Sequence, residues 1–227
     1  MPATVENRLL HDLPAVTVRA CSVSKMDNNV YLLTAKTTGA QVLIDAADDA
    51  EAIEALLASA EGDTPCATRL AVVVTTHRHW DHVRALGTIA AAHPEAVLAA
   101  GEDDADAIEE EAGVRIGDRL PHGGVVAVDG IELDVIGLRG HTPGSVALAY
   151  RSDAEEPALL FTGDSLFPGG VGNTEKDPER FASLIDDVEA RLFGEYEDDT
   201  HVHPGHGAST VLGDERPQLP AWRDRGW

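Results

Sequence analysis

Short apolar runs separated by polar turns occupy the first part of the chain. Residues 16–20, 30–33 and 42–44 are rich in β-branched and aliphatic side chains, which predicts three strands. Over residues 49–60 the apolar positions recur at helical spacing instead. This change predicts a helix, with Asp48 as its N-cap. The first part of the chain therefore combines strands with a helix.

An unbroken apolar run at residues 70–74 is typical of a strand that is covered on both faces. Ala-rich segments at 83–92 and 102–111 follow it and predict two more helices, the second of them acidic and exposed. A histidine-rich segment, THRHWDH, directly follows the apolar run. The buried strand therefore delivers a cluster of polar side chains to its carboxyl end.

The second half of the chain repeats the order of strands followed by a helix. Strands are predicted at 125–128, 131–136, 146–150 and 159–162, and a helix at 181–193. The first two strands are joined by an Asp-Gly turn, and the helix is preceded by Asp-Pro, a cap followed by proline. No linker rich in Gly, Pro or Ser divides the halves. The pattern predicts one mixed α/β (α+β) domain over residues 1–227.

Charge and composition exclude several classes of function. The 227 residues include 40 acidic and 17 basic side chains, which gives a formal net charge of −23. The negative electrostatic field of this charge repels nucleic acid and anionic membrane surfaces, and the sequence contains no basic patch that would offset it. No apolar run reaches the length of a membrane span, and the two cysteines form no CxxC pair. We therefore expect a cytoplasmic protein without a nucleic-acid or membrane partner.

Metal-ligating residue types cluster after the buried apolar run. His77, His79, Asp81 and His82 lie within one short segment. Residues two apart in an extended segment project to the same side, so His77 and His79 can reach one cation while Asp81 and His82 reach a neighbour. Imidazole and carboxylate donors suit zinc, iron or manganese. The spacing therefore predicts a metal site at the end of this strand.

A site for two metals needs more ligands than one cluster supplies. Isolated candidates stand at other predicted strand ends, each beside glycine: His141, Asp164 and His206. Glycine permits the backbone turns that such positions require. We therefore expect these three side chains to complete a site for two divalent metal ions, with zinc favoured and iron or manganese as alternatives.

Four motifs together, THRHWDH, GHTPGS, GDSLF and PGHG, resemble those of the metallo-β-lactamase superfamily. Within it, the chain is most similar to the glyoxalase II-like (hydroxyacylglutathione hydrolase-like) thioester hydrolases. The resemblance implies an αβ/βα four-layer sandwich, in which two mixed β-sheets lie between helix layers and the metals lie at one edge of the sheets.

The resemblance also implies a role for each candidate ligand. The first metal would be held by His77, His79 and His141, the second by Asp81, His82 and His206, and Asp164 would bridge both. A hydroxide between the metals would attack the carbonyl of a small-molecule thioester, and Asp81 would accept its proton. An anionic substrate approaching this acidic protein would need the positive charge that the metals supply.

Departures from the family pattern concern the substrate more than the mechanism. The bridging position holds Asp164 and neither cysteine lies in a motif, which disfavours β-lactamases that use a cysteine ligand. The helical C-terminal domain that grips glutathione is not expected, since little chain follows His206. Asn173 stands where glutathione-dependent relatives carry Lys or Arg. A short bacterial member that acts on another thiol, such as mycothiol or bacillithiol, is the expectation.

Other functions on the same fold remain open. A persulfide dioxygenase would hold one iron by His77, His79 or His141 together with Asp164, and would consume oxygen. A lactonase is less favoured, because Ser145 stands where quorum-signal lactonases carry histidine. A non-catalytic binding role would be marked by lost ligands, and none is lost.

Several polar residues near the motifs have both a structural and a functional interpretation. Asp45 either orients a ligand imidazole or caps a strand, and His203 either supports His206 or stabilises its turn. Residues 28–31 are similar to a DNxYLL segment of the family, for which a structural hairpin is favoured over substrate contact. Surface or capping roles are predicted for His11, His93, His122 and His201.

Overall fold

The computed structural model of the protein describes residues 6–152 and 155–226. Two large β-sheets form its centre, and the strands are numbered in chain order. The first sheet has the spatial order β1 to β7 and consists of Arg8–Asp12, Val16–Val23, Asn28–Ala35, Ala40–Ile44, Arg69–Thr75, Val97–Gly101 and Asp118–Leu120. Strands β1 to β4 pair antiparallel and β4 to β7 pair parallel, so the sheet is mixed.

The second sheet is also mixed and has the order β15-β14-β11-β10-β9-β8. Its strands are β8 (Val125–Val128), β9 (Ile131–Gly137), β10 (Val146–Tyr150), β11 (Leu159–Gly163), β14 (His201–Pro204) and β15 (Thr210–Val211), while β12 (Leu166–Phe167) and β13 (Gly170–Val171) form a separate pair. Only the β11–β14 pairing is parallel within this described sheet.

Helices cover the outer faces of both sheets. They are α1 (Ala50–Ser59), α2 (Leu86–Ala92), α3 (Ala105–Ala112), α4 (Pro178–Val188), α5 (Leu212–Glu215) and α6 (Leu219–Arg225). One apolar cluster joins the inner faces of the sheets, a second lies between the first sheet and α1 to α3, and a third lies between the second sheet and α4 to α6. This is the predicted αβ/βα four-layer sandwich, and the fold prediction is confirmed.

The helix boundaries differ in detail from those predicted. The N-cap of α1 is Asp49, whose side chain accepts a hydrogen bond from the Ala52 N–H, and not Asp48. Helix α3 is not simply an exposed acidic segment, because Ala105 and Ile108 are buried. The α-helical part of α4 ends at Val188, and a π-helical turn follows at Glu189–Phe193. None of the helices in the described residues is long and apolar enough to cross a membrane.

Candidate metal centre

The predicted site residues come from four strand ends at one edge of the two sheets. The segment that holds His77, His79, Asp81 and His82 follows β5 and closes with a short 3₁₀ turn at Trp80–His82. The other three residues belong to the second sheet: His141 lies between β9 and β10, Asp164 follows β11 and His206 follows β14. The fold brings all seven side chains together.

Three imidazoles form the first cluster. The Nε2 atom of His77 lies 3.1 Å from the Nδ1 atom of His79, and the ring centres of His79 and His141 are 4.5 Å apart. One nitrogen from each of the three rings lies within 4.8 Å of the others. This spacing fits three nitrogen ligands of one divalent cation.

The second cluster contains a carboxylate and two imidazoles. The Nε2 atoms of His82 and His206 are 3.1 Å apart, and Asp81 Oδ2 lies 3.3 Å from His206 Nε2. The same oxygen lies 3.7 Å from His82 Nε2. These three donors could hold a second cation.

The carboxylate of Asp164 lies between the two clusters. Its Oδ2 atom is 3.7 Å from His141 Nε2 in the first cluster and 3.3 Å from His206 Nε2 in the second. Its Oδ1 atom is 3.5 Å from His82 Nε2. Asp164 therefore faces both candidate cation positions.

Hydrogen bonds on the outer side of the rings fix three imidazole tautomers. The Nδ1 atoms of His141 and His206 lie 2.8 Å from the backbone carbonyls of Asn173 and Met26, and His82 Nδ1 lies 2.8 Å from Asp45 Oδ2. Carbonyl and carboxylate oxygens only accept, so each Nδ1 carries the hydrogen. In its neutral form each ring directs an Nε2 lone pair into the site.

The ring of His77 is oriented by the same carboxylate through a hydroxyl. The Thr76 hydroxyl donates to Asp45 Oδ2 at 2.8 Å, so its oxygen accepts the hydrogen of His77 Nδ1 at 3.1 Å. The Nε2 atom of His77 thus also presents a lone pair to the site. Of the two interpretations of Asp45, the orienting one agrees with these contacts.

Two buried polar atoms at the centre lack a hydrogen-bond partner among the described residues. They are His141 Nε2 and Asp164 Oδ1, both of which are acceptors in these states. Leaving a buried acceptor without a partner is unfavourable, and a cation would satisfy both atoms. The donor set therefore fits divalent metal ions on chemical grounds.

Comparison with known proteins identifies the family. The sequence profile of the metallo-beta-lactamase superfamily matches residues 24–212. The chain belongs to the metallo-β-lactamase superfamily. That match includes every residue of both clusters.

Curated relatives of this metallo-β-lactamase superfamily protein include hydroxyacylglutathione hydrolases at modest identity. The enzyme GloC of Haemophilus influenzae is 30% identical over 166 residues, which cover 66% of this chain and 75% of the relative. The enzyme of Anaeromyxobacter dehalogenans is 36% identical over 182 residues, covering 79% of this chain and 61% of the relative. The chain thus spans about three-fifths to three-quarters of these relatives' lengths.

A solved structure has the same fold. The crystal structure of ETHE1 from Myxococcus xanthus matches with a TM-score of 0.74 at 24% sequence identity, over 91% of this chain and 84% of that protein. At this identity the match establishes the fold of the superfamily protein and supports the confirmed four-layer architecture.

The carboxylates of the site favour positive charge at its centre. Burial lowers the pKa of His82, but the Asp45 and Asp164 carboxylates outweigh burial and raise that pKa to about 10. Burial raises the pKa of Asp164, but the imidazoles of His206 and His82 hold it well below its usual value. The carboxylates therefore stabilise positive charge at the second cluster. The protonated His82 ring carries this charge in the metal-free protein, and a cation would replace that proton on binding.

The first cluster favours neutral imidazoles. Burial lowers the pKa of His77 well below its ordinary value, and the neighbouring His82 adds to this effect. Burial also lowers the pKa values of His79 and His141. Neutral imidazole is the form that binds a metal ion, so these three rings are ready to act as ligands.

Sequence reasoning did not anticipate the contact between Asn28 and Asp81. The Asn28 amide donates to the Asp81 carbonyl at 3.1 Å and to Asp81 Oδ2 at 3.0 Å, which orients this carboxylate. Asn29 donates to the carbonyls of Pro204 and Gly207, and so holds the loop of His206. The similarity of residues 28–31 to the DNxYLL segment could have indicated these contacts. The structural hairpin interpretation explains the strand pairing of this segment but not the contacts of Asn28 and Asn29 with the site.

The remaining histidines lie outside both clusters. His93 pairs with Glu54 at 3.0 Å, in agreement with a surface role. The ring of His11 is half-buried and lies 2.9 Å from His203, so its predicted surface or capping role is wrong. His203 contacts Ser209 and His11, which agrees with the structural interpretation rather than support of His206.

Proposed function

We propose that this protein is a metal-dependent hydrolase that cleaves thioesters of a low-molecular-weight thiol, of the S-lactoyl or hydroxyacyl type. The observation that carries the proposal is the pair of three-residue clusters with Asp164 between them. The curated hydroxyacylglutathione hydrolases support the thioester as substrate class. Zinc is the first choice of metal, with iron or manganese as alternatives.

The proposed ligand assignment follows the two clusters. His77, His79 and His141 would hold one cation, Asp81, His82 and His206 a second, and Asp164 would contact both. Asp45, the backbone carbonyls of Asn173 and Met26, and Asn28 would keep the ligands in their binding orientations. Such outer partners set the affinity of a metal site as well as its geometry.

When bound, divalent cations at these positions would lower the pKa of a coordinated water towards neutrality and polarise the carbonyl of an acyl substrate. Asp81 is the proposed proton acceptor. Its Oδ2 atom faces His82 and His206 and accepts from Asn28, which leaves Oδ1 to take a proton from the attacking water. A thiolate is a good leaving group, so the reaction needs no dedicated general acid among the described side chains.

The identity of the thiol forms part of the proposal. Asn173 is exposed, and its backbone carbonyl accepts a hydrogen bond from His141 Nδ1. The resemblance to glutathione-dependent members of the family implies a cationic side chain at this position, where this chain has Asn173, so we propose a different cellular thiol, such as mycothiol or bacillithiol. The two free cysteines support a reducing, cytoplasmic location. The net charge of −23 argues against nucleic acid as a partner.

The experiment measures thiol release from a panel of thioesters. Metal-free protein is reloaded with zinc, manganese or iron, its metal content is determined, and S-lactoyl thioesters of glutathione, mycothiol and bacillithiol are supplied. We expect two metals per chain and release of free thiol. Asp164→Asn should lose more than about 100-fold in activity, because loss of an outer partner alone costs about 10–100-fold.

A matched control is His93→Gln, which removes an imidazole that pairs with Glu54 outside both clusters. This variant should retain its metals and its activity. The absence of thiol release from fully metal-loaded protein across the panel would refute the proposal. One iron per chain with oxygen uptake from a persulfide would favour the dioxygenase instead, and lactone hydrolysis alone would favour the lactonase.

A further inference from the structure

We infer that Asp104 is a positioning residue that joins the two loops of the first imidazole cluster. One loop carries His77 and His79, the other carries His141, and the Asp104 carboxylate binds both. The inference rests on the proposed metal site and adds a residue outside its ligand set.

The contacts of Asp104 reach the ligand loops through donors next to the ligands. The Arg78 N–H, which lies between His77 and His79 in sequence, donates to Asp104 Oδ2 at 3.1 Å. The Thr142 hydroxyl, next to His141, donates to the same oxygen at 2.5 Å. The Gly144 N–H donates to Oδ1 at 3.0 Å. Both carboxylate oxygens are therefore committed to these loops.

Asp104 stands at the start of a helix, where its side chain could serve as an ordinary helix cap, but it does not do so. Asp104 is the N-cap residue of α3, where an aspartate side chain usually accepts a bond from the first helical turn. Here the side chain makes no capping bond, although the residue is completely buried. A buried carboxylate needs hydrogen bonds, and Asp104 obtains them from the ligand loops instead of its own helix.

The hydroxyl hydrogens around Asp104 can be assigned in one direction. The Thr142 hydroxyl gives its hydrogen to Asp104, so the Ser145 hydroxyl, 2.6 Å away, must donate to the Thr142 oxygen. Ser145 in turn accepts from the Thr142 N–H at 3.2 Å. The carboxylate thus orders the turn that follows His141.

Close backbone packing at this point leaves little freedom for the turn. A Cβ atom on Gly144 would lie 2.3 Å from the Asp104 backbone nitrogen, and one on Gly101 would lie 1.9 Å from the Gly144 carbonyl oxygen. Only glycine permits the two segments to approach so closely. The separation between the loops is therefore fixed by backbone contact and by the shared carboxylate together.

The second cluster has different anchors. Asp81 is held by Asn28, His82 by Asp45 and His206 by the Met26 carbonyl. Loss of the Asp104 carboxylate should consequently weaken the cation at His77, His79 and His141 more than the other cation. A purely structural role would weaken both cations in parallel.

The experiment compares zinc affinities in four variants by titrating metal-free protein against a chromophoric chelator. Asp104→Asn should weaken one of the two cations by about 10–100-fold and the other by less than about threefold. Thr142→Val removes one donor and should give a smaller loss at the same cation. Thr142→Ser keeps the hydroxyl, so this variant should bind both zinc ions with the wild-type affinities.

The matched control is Asp63→Asn, a partly buried carboxylate that binds Thr17 and Arg19 instead of a ligand loop. It should leave both zinc affinities unchanged. Equal losses at both cations, or no loss in Asp104→Asn and Thr142→Val, would overturn the inference. Should Asp104→Asn fail to fold, the Thr142 pair decides the question.

Hydrogen exchange gives a second measurement that needs no metal. In metal-free Asp104→Asn the amides of Arg78 and Gly144 should exchange faster than in Asp63→Asn, and unchanged exchange would contradict the inference. Different results would refute the thioesterase proposal and the inference about Asp104. If the protein binds two cations but releases no thiol, the thioesterase proposal is refuted and the role of Asp104 is unaffected.

Discussion

At the scale of single residues, the candidate ligands were visible in the sequence but their orientations were not. The pattern of His77, His79, Asp81 and His82 predicts a metal site from residue type and spacing alone. The tautomers depend on partners far away along the chain, such as the Met26 carbonyl beside His206. Periodicity carries no information on such contacts, since they form only when distant strand ends meet.

Gly205 offers a test of how tightly the site is packed. A Cβ atom at this position would lie 2.3 Å from Asp164 Oδ1 and 2.8 Å from His82 Cε1. Gly205→Ala should therefore displace both side chains and lower the bound metal to one cation per chain or fewer. Metal analysis of the purified variant after dialysis measures this directly.

The control for that variant is Gly62→Ala, where a new Cβ atom would meet nothing within 4 Å. It should retain the wild-type metal content. If Gly205→Ala also retained two tightly bound metals, the close packing of Asp164 against this backbone would have no bearing on the site.

At the scale of elements, strands with a strong apolar pattern were predictable and strands without one were not. β5 and β10 were predicted because their valine-rich and aliphatic runs stand out. β6 has the sequence VLAAG and β14 has HVHP, so neither shows a β-branched run. Their strand conformation comes from pairing with β5 and β11, a tertiary effect that overrides local propensity.

Helix α4 illustrates a predicted element with a function that was not predicted. Its start at Asp177 and Pro178 was readable from the sequence, and Asp177 Oδ1 accepts from the N–H groups of Glu179 and Arg180. The Arg180 guanidinium also donates to the carbonyls of Gly140 and His141. The first turn of this helix therefore supports the loop of a proposed metal ligand.

Removal of this cap should destabilise the protein measurably. Asp177→Ala leaves two N–H groups of the first turn without their acceptor, which costs about 1 kcal/mol in a typical helix. Urea unfolding of the metal-free protein should show a lower midpoint with an unchanged slope. Ser183→Ala, within the same helix, should stay within about 0.5 kcal/mol of wild type. Equal midpoints for Asp177→Ala and wild type would show that the cap contributes nothing.

At the scale of the whole molecule, the two sheets meet through a group of histidines as well as through the apolar core. His11 in β1 belongs to the first sheet and His203 in β14 to the second, and their Nε2 atoms are 2.9 Å apart. His203 also packs beside the rings of Tyr31 and Phe161, which come from both sheets. Neutral imidazoles thus form part of the contact between the sheets.

This contact should make stability depend on pH. Burial, with the neighbouring His11 and His201, lowers the pKa of His203 to about 3, and burial also lowers the pKa of His11. An unfolded histidine has a pKa of about 6.5, so below that pH the unfolded chain binds more protons than the folded one. The stabilisation is complete above pH 6.5 and is lost as the pH falls from 6.5 towards 3.

The variant His203→Gln isolates this effect, because glutamine can donate and accept but does not titrate in this range. Free energies of unfolding are measured in urea on metal-free protein at pH 7.5, 6.0 and 5.0. The residues of the candidate metal centre are the same in both proteins, so the difference in stability between wild type and variant is the informative quantity. Wild type should lose stability faster on acidification, by up to about 1.4 kcal/mol per pH unit for one proton. Parallel pH profiles would show that His203 is equally accessible to protons in the folded and unfolded states, contrary to its burial between the sheets.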